Sequence, residues 1–102
     1  GFPAPQSTSA KRAVSTVPQQ YLFMMNSSFM QKRAQALALS IQQEKDPGDR
    51  IRLLYQRLYS REPVPEEAEA GLSFVSSKAD LSQVWAQYAQ VLLSSHEFMQ
   101  IQ

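Results

Sequence analysis

The segment from Asp49 to Pro65 (DRIRLLYQRLYSREPVP) limits the possible folds more than any other part of this chain. Its apolar residues recur at offsets 0, 3, 4, 7 and 8 from Ile51, which places them on one face of an α-helix. Pro63 and Pro65 cannot continue that helix, and each favours extended geometry in the residue before it. Pro65 also suits the first position of a following helix, whose positive end favours the two glutamates that come next. The segment therefore predicts a helix, a rigid bend and a second helix.

Capping patterns predict where the other helices begin. A serine or threonine followed three residues later by glutamine matches a capping box, and such pairs start at Thr16 and Ser28. We expect the helix that starts at Ser28 to run to about Glu44. Asp46 and Asp80 are the expected N-caps of the Ile51 helix and of the last long helix.

Several residues within these helices indicate how the core is packed. Gly71 lies in mid-helix, where glycine costs about 1 kcal/mol relative to alanine, so we expect a neighbouring helix to pack closely against it. Leu72 is placed on the inner face of the same helix. Trp85, the only tryptophan, is expected in the centre of the core. Ser94 and Glu97 match a further capping pattern, which predicts that a short terminal turn restarts there.

The whole pattern predicts an all-α fold. No alternation of apolar and polar residues typical of a strand occurs anywhere, so we expect a compact bundle of four to five crossed helices and no sheet. Residues 1–14 are rich in Pro, Ser and Ala, and we interpret them as a flexible arm or linker. Residues 15–102 are expected to form a single helical domain, because 102 residues suffice for one domain and not for two.

The composition argues against several classes of function. A net charge of +1 creates no strong field for nucleic acid or anionic lipid. Cysteine is absent, which rules out disulfides, thiolate metal sites and a cysteine nucleophile. No apolar run approaches the roughly 18 residues of a membrane span, and no signal-peptide pattern is present. Because the chain begins with Gly1, we expect it to be a module of a longer protein, from which any targeting segment is missing here.

Candidates for catalysis or metal binding are few. His96 is the one histidine, and a metal site needs several convergent ligands, so we expect a surface or capping role for it. A haem bound by His96 and Met99 would lack the C-x-x-C-H attachment motif. The carboxylates near the start of the Pro65 helix are explained by the helix dipole. We therefore predict no enzymatic activity of this segment, no metal and no cofactor, and we keep a hydrolase centred on His96 as a remote alternative.

A surplus of apolar residues predicts an interaction surface. The segment after Thr16 is apolar nearly all round, so it is expected to be buried on several sides or covered by another protein segment. Methionine-rich surfaces can adapt to partners, although filling of the core is the interpretation that we favour for the four methionines. Phe74 points away from Leu72 and is expected to reach a second contact surface. The candidate interaction residues are Tyr21, Phe23, Met24, Met25, Phe29 and Phe74.

Three segments together resemble one known family. Residues 11–29 (KRAVSTVPQQYLFMMNSSF) are similar to the pattern R-R-x-V-[ST]-T-x-P-x-Q-A-L-x-L-L-N-x-x-F, and residues 61–67 (REPVPEE) to R-x-P-x-P-x-E. Trp85 followed by residues 92–98 (LLSSHEF) resembles the closing pattern W-x-x-[LY]-x-x-x-L-L-N-S-x-E-F. These patterns belong to a large planctomycete-specific family of unknown function, whose long chains often accompany planctomycete-type cytochrome c domains. The chain departs from them at Tyr21, Val64 and Ser94, which are structural positions.

The resemblance implies a C-terminal helical module of a large, exported protein, and hence an extracytoplasmic location. It brings no catalytic residues to this chain. The leading hypothesis is an interaction or structural module that is monomeric in isolation and that contacts upstream domains of its parent chain or another protein. The alternative is a piece of a larger enzyme or electron-transfer protein that contributes indirectly to its activity. Nucleic-acid binding and membrane insertion are not expected.

Overall fold

The computed structural model describes residues 18–77 and 81–100, and these ranges form five α-helices with no strand. The all-α bundle expected from the sequence is confirmed. The expected arm, Thr16 and Asp80 lie outside the described residues. In chain order the helices are α1 (Gln19–Met25), α2 (Ser28–Ser40), α3 (Pro47–Tyr59), α4 (Pro65–Ser76) and α5 (Leu81–Gln100).

Helix α5 is the element on which the others pack. It contacts all four of the other helices, and its pairing with α2 is the most extensive in the bundle. Arg33 of α2 bonds Glu97 near the end of α5, while Leu39 of α2 shares a groove with Ala86 near its start. The two helices therefore run antiparallel. The core lies between α2, α3, α4 and α5 and contains the buried residues Ala34, Ile41, Ile51, Leu54, Tyr55, Val75, Val84, Tyr88, Ala89 and Leu92.

Helix α3 begins and ends as its sequence predicts. The Asp46 side chain accepts a hydrogen bond from the backbone N–H of Asp49 at 3.1 Å, and Pro47 occupies the first turn. The helix stops at Ser60, which adopts the left-handed conformation with φ 58°. The expected face is correct, because Ile51 and Leu54 are fully buried.

Helix α4 begins without a side-chain acceptor at its N-cap, Val64. The carboxylate of Glu67 compensates by accepting a hydrogen bond from the Val64 backbone N–H at 2.9 Å, which supplies half of a capping box. The expected close packing at Gly71 is confirmed. A Cβ at that position would lie 2.9 Å from Ile51 Cδ1 and would also meet the hydroxyl of Tyr88.

The boundaries of α2 differ from those expected. Its N-cap is Ser27, whose hydroxyl accepts from the Met30 backbone N–H at 3.2 Å, so the expected cap at Ser28 is wrong by one residue. The helix ends at Ser40 and does not reach Glu44. The side chain of Arg50 donates to the backbone carbonyls of Gln42 and Glu44, so carbonyls beyond the helix are satisfied without further helical turns.

Two expectations about α5 are wrong. The helix is continuous from Leu81 to Gln100, so no separate turn restarts at Ser94. Ser94 is fully buried within this continuous helix. Trp85 is only partly buried and lies at the edge of the core, with the guanidinium of Arg50 5.2 Å from its ring centroid.

Candidate interaction surface

The most exposed apolar side chains of the first two helices flank the turn between them. Phe23 is 82% exposed near the end of α1, and Phe29 is 66% exposed in the first turn of α2. Leu22, beside Phe23, is 43% exposed. We call Leu22, Phe23 and Phe29 the Phe23–Phe29 surface. Large exposed aromatic residues are enriched where proteins bind partners.

The other predicted surface residues of α1 face inward. Tyr21 packs edge-on against Phe98, with ring centroids 5.4 Å apart, and its hydroxyl lies 3.2 Å from Ser95 Oγ. Met24 and Met25 are half-buried. Tyr21, Met24 and Met25 therefore attach α1 to the bundle, and α1 contains no fully buried residue. Periodicity alone missed this division because a two-turn helix of apolar residues has no polar face to mark its exposed side.

Phe74 is partly buried against the core, whereas the sequence pattern placed it at a second contact surface. Its ring packs against Tyr88, with centroids 5.6 Å apart, and it lies against the buried core. Leu72, which was expected inside, is instead 40% exposed. The inner and outer faces of α4 are thus rotated from those predicted, since Gly71 lets α4 approach α3 and α5 closely on the side that carries Gly71 and Val75.

Two cations of α2 lie close to Phe29, and one of them is paired with a carboxylate. The guanidinium of Arg33 lies over the Phe29 ring at 5.4 Å and bonds the carboxylate of Glu97 at 3.1 Å. Lys32 is exposed three residues after Phe29, on the neighbouring part of the helix. In the part of the chain that the structure describes, Lys32 has no carboxylate within ion-pair distance.

A second feature is a cleft of about 610 Å³ between the end of α3 and the last turns of α5. Its aromatic wall is formed by Tyr55 and Tyr59, whose ring centroids lie 5.1 Å apart. The guanidinium of Arg61 lies over both rings at 5.4 and 5.5 Å. His96 packs edge-on against Tyr59 at 5.3 Å, so the lone histidine is partly buried at this cleft and not simply on the surface.

Tyr59 and Glu67, two polar groups of this cleft, already have hydrogen-bond partners. Burial raises the pKa of Tyr59 to about 12, and its hydroxyl donates to the Leu92 carbonyl at 2.9 Å. Hydrogen bonds from Arg61 and from the Val64 backbone N–H lower the pKa of Glu67 to about 2. At neutral pH the phenol is therefore protonated and the carboxylate ionised, whereas a general acid or base works best with a pKa near the working pH.

A third feature is the groove beside Trp85. Pro47, Leu72 and Val75 line it together with Trp85 and Arg50. Arg50 lies over the indole ring on one side and is itself held by the backbone carbonyls of Gln42 and Glu44, which follow α2. Leu72 and Trp85 both line this open groove between α4 and the start of α5, which explains why both side chains are partly exposed.

Metal and membrane features can be judged for residues 18–77 and 81–100. No three His, Asp or Glu side chains in these ranges converge as metal ligands. None of the five helices combines the length and the hydropathy that a membrane span requires.

The family described as PSD1, Protein of unknown function (DUF1553), has a sequence model that matches residues 1–75. The match includes α1, α2, α3 and almost all of α4, and so covers well over half of the 102 residues. No curated protein and no solved structure matches the chain. The chain therefore belongs to the PSD1 family of proteins of unknown function.

Proposed function

We propose that this chain is an interaction module without catalytic activity of its own, and that it docks through the Phe23–Phe29 surface onto an upstream domain of its parent protein. The observation that carries the proposal is the exposure of Phe23 and Phe29 on either side of one turn. Exposed apolar groups of this size gain on the order of 2 kcal/mol each when they are buried.

The way α1 is attached supports docking at this place. Tyr21 and Met25 hold α1 on α5, with Gln90 donating to the Met25 carbonyl, so the opposite side of α1 remains available. In the structure, α1 is helical and packed on α5 without any partner. A partner would therefore gain apolar burial without ordering the whole helix, which lowers the entropic cost of binding.

We also propose what kind of protein contains this module. The resemblance of residues 11–29, 61–67 and 92–98 to a planctomycete-specific family supports a C-terminal module of a large exported protein. That protein would be extracytoplasmic, and cytochrome c domains would accompany it. The isolated module is expected to be monomeric.

An NMR titration of the ¹⁵N-labelled chain with the separately produced upstream region tests the proposal. We expect shifts concentrated in residues 21–30 and a loss of affinity of roughly tenfold or more in Phe23→Ala, because truncation removes most of one aromatic contact. Leu39→Ala is the matched control, because Leu39 is also exposed on α2, at 63%, but lies near the start of α5 beside Ala86. Helix α1 packs near the other end of α5, against Ser95 and Phe98. Absence of shifts at high concentration, or equal losses in both variants, would contradict docking through this surface.

A further inference from the structure

The chain has a strong asymmetry of charge that its net charge conceals. The first acidic residue is Glu44, so residues 1–43 contain four cations and no carboxylate, and carry a formal charge of +4. The remaining residues contain six cations and nine acids, and carry −3. The Phe23–Phe29 surface thus lies in the cationic part of the sequence, while the acids of α3 and α4 lie elsewhere.

The local contacts show which charged side chains lie close to the Phe23–Phe29 surface. Arg33 is held over the Phe29 ring, and its charge is already paired with the carboxylate of Glu97. Lys32 has no such partner among the described carboxylates, and it is exposed on the same turn of α2. The polar neighbours of Phe23 in its shallow depression are the uncharged Gln19 and Gln20. Among the described residues, the depression beside Phe23 therefore contains no carboxylate that would oppose an anionic partner.

We infer that the partner of the Phe23–Phe29 surface is a protein surface with an apolar centre and a rim of carboxylates, which Lys32 contacts. This inference rests on the proposed docking function and adds the chemistry of the partner to it. Complementary charge at the rim of an interface speeds association and selects the partner, while the buried aromatic residues supply most of the affinity. An apolar centre without acids would leave Lys32 facing low-dielectric protein without compensation.

The test repeats the titration with variants that change the charge and leave the apolar contacts intact. Lys32→Glu is expected to weaken docking about tenfold, and raising NaCl from low to high concentration is expected to weaken docking of the unchanged chain similarly. Lys45→Glu carries the same change of charge at an exposed position beyond α2, and it should alter affinity less than about twofold. Lys32→Gln should give an intermediate loss.

The outcomes separate this inference from the docking function itself. If Phe23→Ala weakens docking while Lys32→Glu and salt do not, the partner surface is not acidic and the inference is overturned, although docking stands. If neither variant matters, the docking function fails first. Circular dichroism of Lys32→Glu ensures that a loss of affinity does not reflect unfolding.

Three further measurements test other partners of this surface: a lipid membrane, a nucleic acid and a second copy of the chain. Co-sedimentation with phosphatidylglycerol vesicles that Phe23→Ala abolishes would assign the surface to lipid. Fluorescence anisotropy with single-stranded DNA that responds to Lys32→Glu would assign it to nucleic acid. Self-association in sedimentation velocity that Lys32→Glu removes would assign it to a second copy. Each of these results would overturn the inference, and we expect none of them.

Discussion

The bend between α3 and α4 and the turn between α1 and α2 are both short connections, yet different forces fix them. The bend is held locally: Ser60 takes the left-handed conformation, and Glu67 bonds both Arg61 and the Val64 backbone N–H. The turn also has local bonds, since Ser27 caps α2 and donates to the Met24 carbonyl, but α1 is held on the bundle by distant contacts with α5. The bend region therefore has the features of a structural element, whereas the turn region retains exposed apolar groups that a partner can use.

The largest contrast between the two regions is expected from truncation of apolar side chains. Leu54→Ala, in α3, should lower the free energy of unfolding by about 3 kcal/mol, because Leu54 is fully buried and its removal leaves a cavity. Phe23→Ala, beside the turn, removes more atoms but should change stability by less than about 0.5 kcal/mol, since Phe23 is almost wholly exposed. Urea denaturation followed by circular dichroism measures both. Similar losses would show that Phe23 is buried in solution.

The second contrast concerns the close approach at Gly71. Gly71→Ala should lower stability by about 1–2 kcal/mol, because the clash with Ile51 and Tyr88 exceeds the gain of about 1 kcal/mol in helix propensity. Ala70→Gly is the control in the same helix, since Ala70 is exposed and reports the propensity alone. A stabilised Gly71→Ala variant would mean that α4 is not packed tightly there.

The third contrast tests the local network of the bend through pH. Glu67→Gln should lower stability by about 0.5–1 kcal/mol at neutral pH, because glutamine can still accept from the Val64 backbone N–H but loses the charge that pairs with Arg61 and suits a helix N-terminus. The pKa of Glu67 falls from an ordinary 4.5 to about 2, so its contribution is complete above pH 4.5 and is lost as the pH falls from there through about 2. Denaturation of both chains across this range should show their stabilities converging at the acidic end. A constant difference would assign the effect to packing and not to ionisation.

The same comparison explains which features could be predicted from the sequence. Asp46, Pro47 and Pro65 act on their own backbone or on atoms three residues away, so their roles can be read without knowledge of the fold. The end of α2 could not be predicted from its own sequence. Arg50, which lies in α3, donates hydrogen bonds to the backbone carbonyls of Gln42 and Glu44, so the helix need not continue to satisfy them. Ser27 and Ser28 are chemically equivalent, and the choice between them depends on where α1 ends.

The candidate surface was predictable only as a set of residues. An apolar run predicts that something covers it, but the division into Phe23 outside and Tyr21 inside depends on Phe98 and Ser95, more than seventy residues away in the chain. The contact of Phe74 with Tyr88 could not be predicted for the same reason. The side of α4 that faces the core is set by the missing Cβ of Gly71 as well as by the pattern of its apolar residues.

The smallest expected effect comes from the ion pair that ties α2 to α5. Arg33→Gln should lower stability by no more than about 0.5 kcal/mol, because both side chains of the Arg33–Glu97 pair are roughly one-third to two-fifths exposed and water screens their attraction. A double-mutant cycle with Glu97→Gln, measured at low and high salt, isolates this coupling. A coupling that vanishes at high salt is expected for a surface pair. A salt-independent coupling above about 1.5 kcal/mol would mean that the α1–α2 end of the bundle is held as firmly as the bend. In that case the turn region would be as much a structural element as the α3–α4 bend.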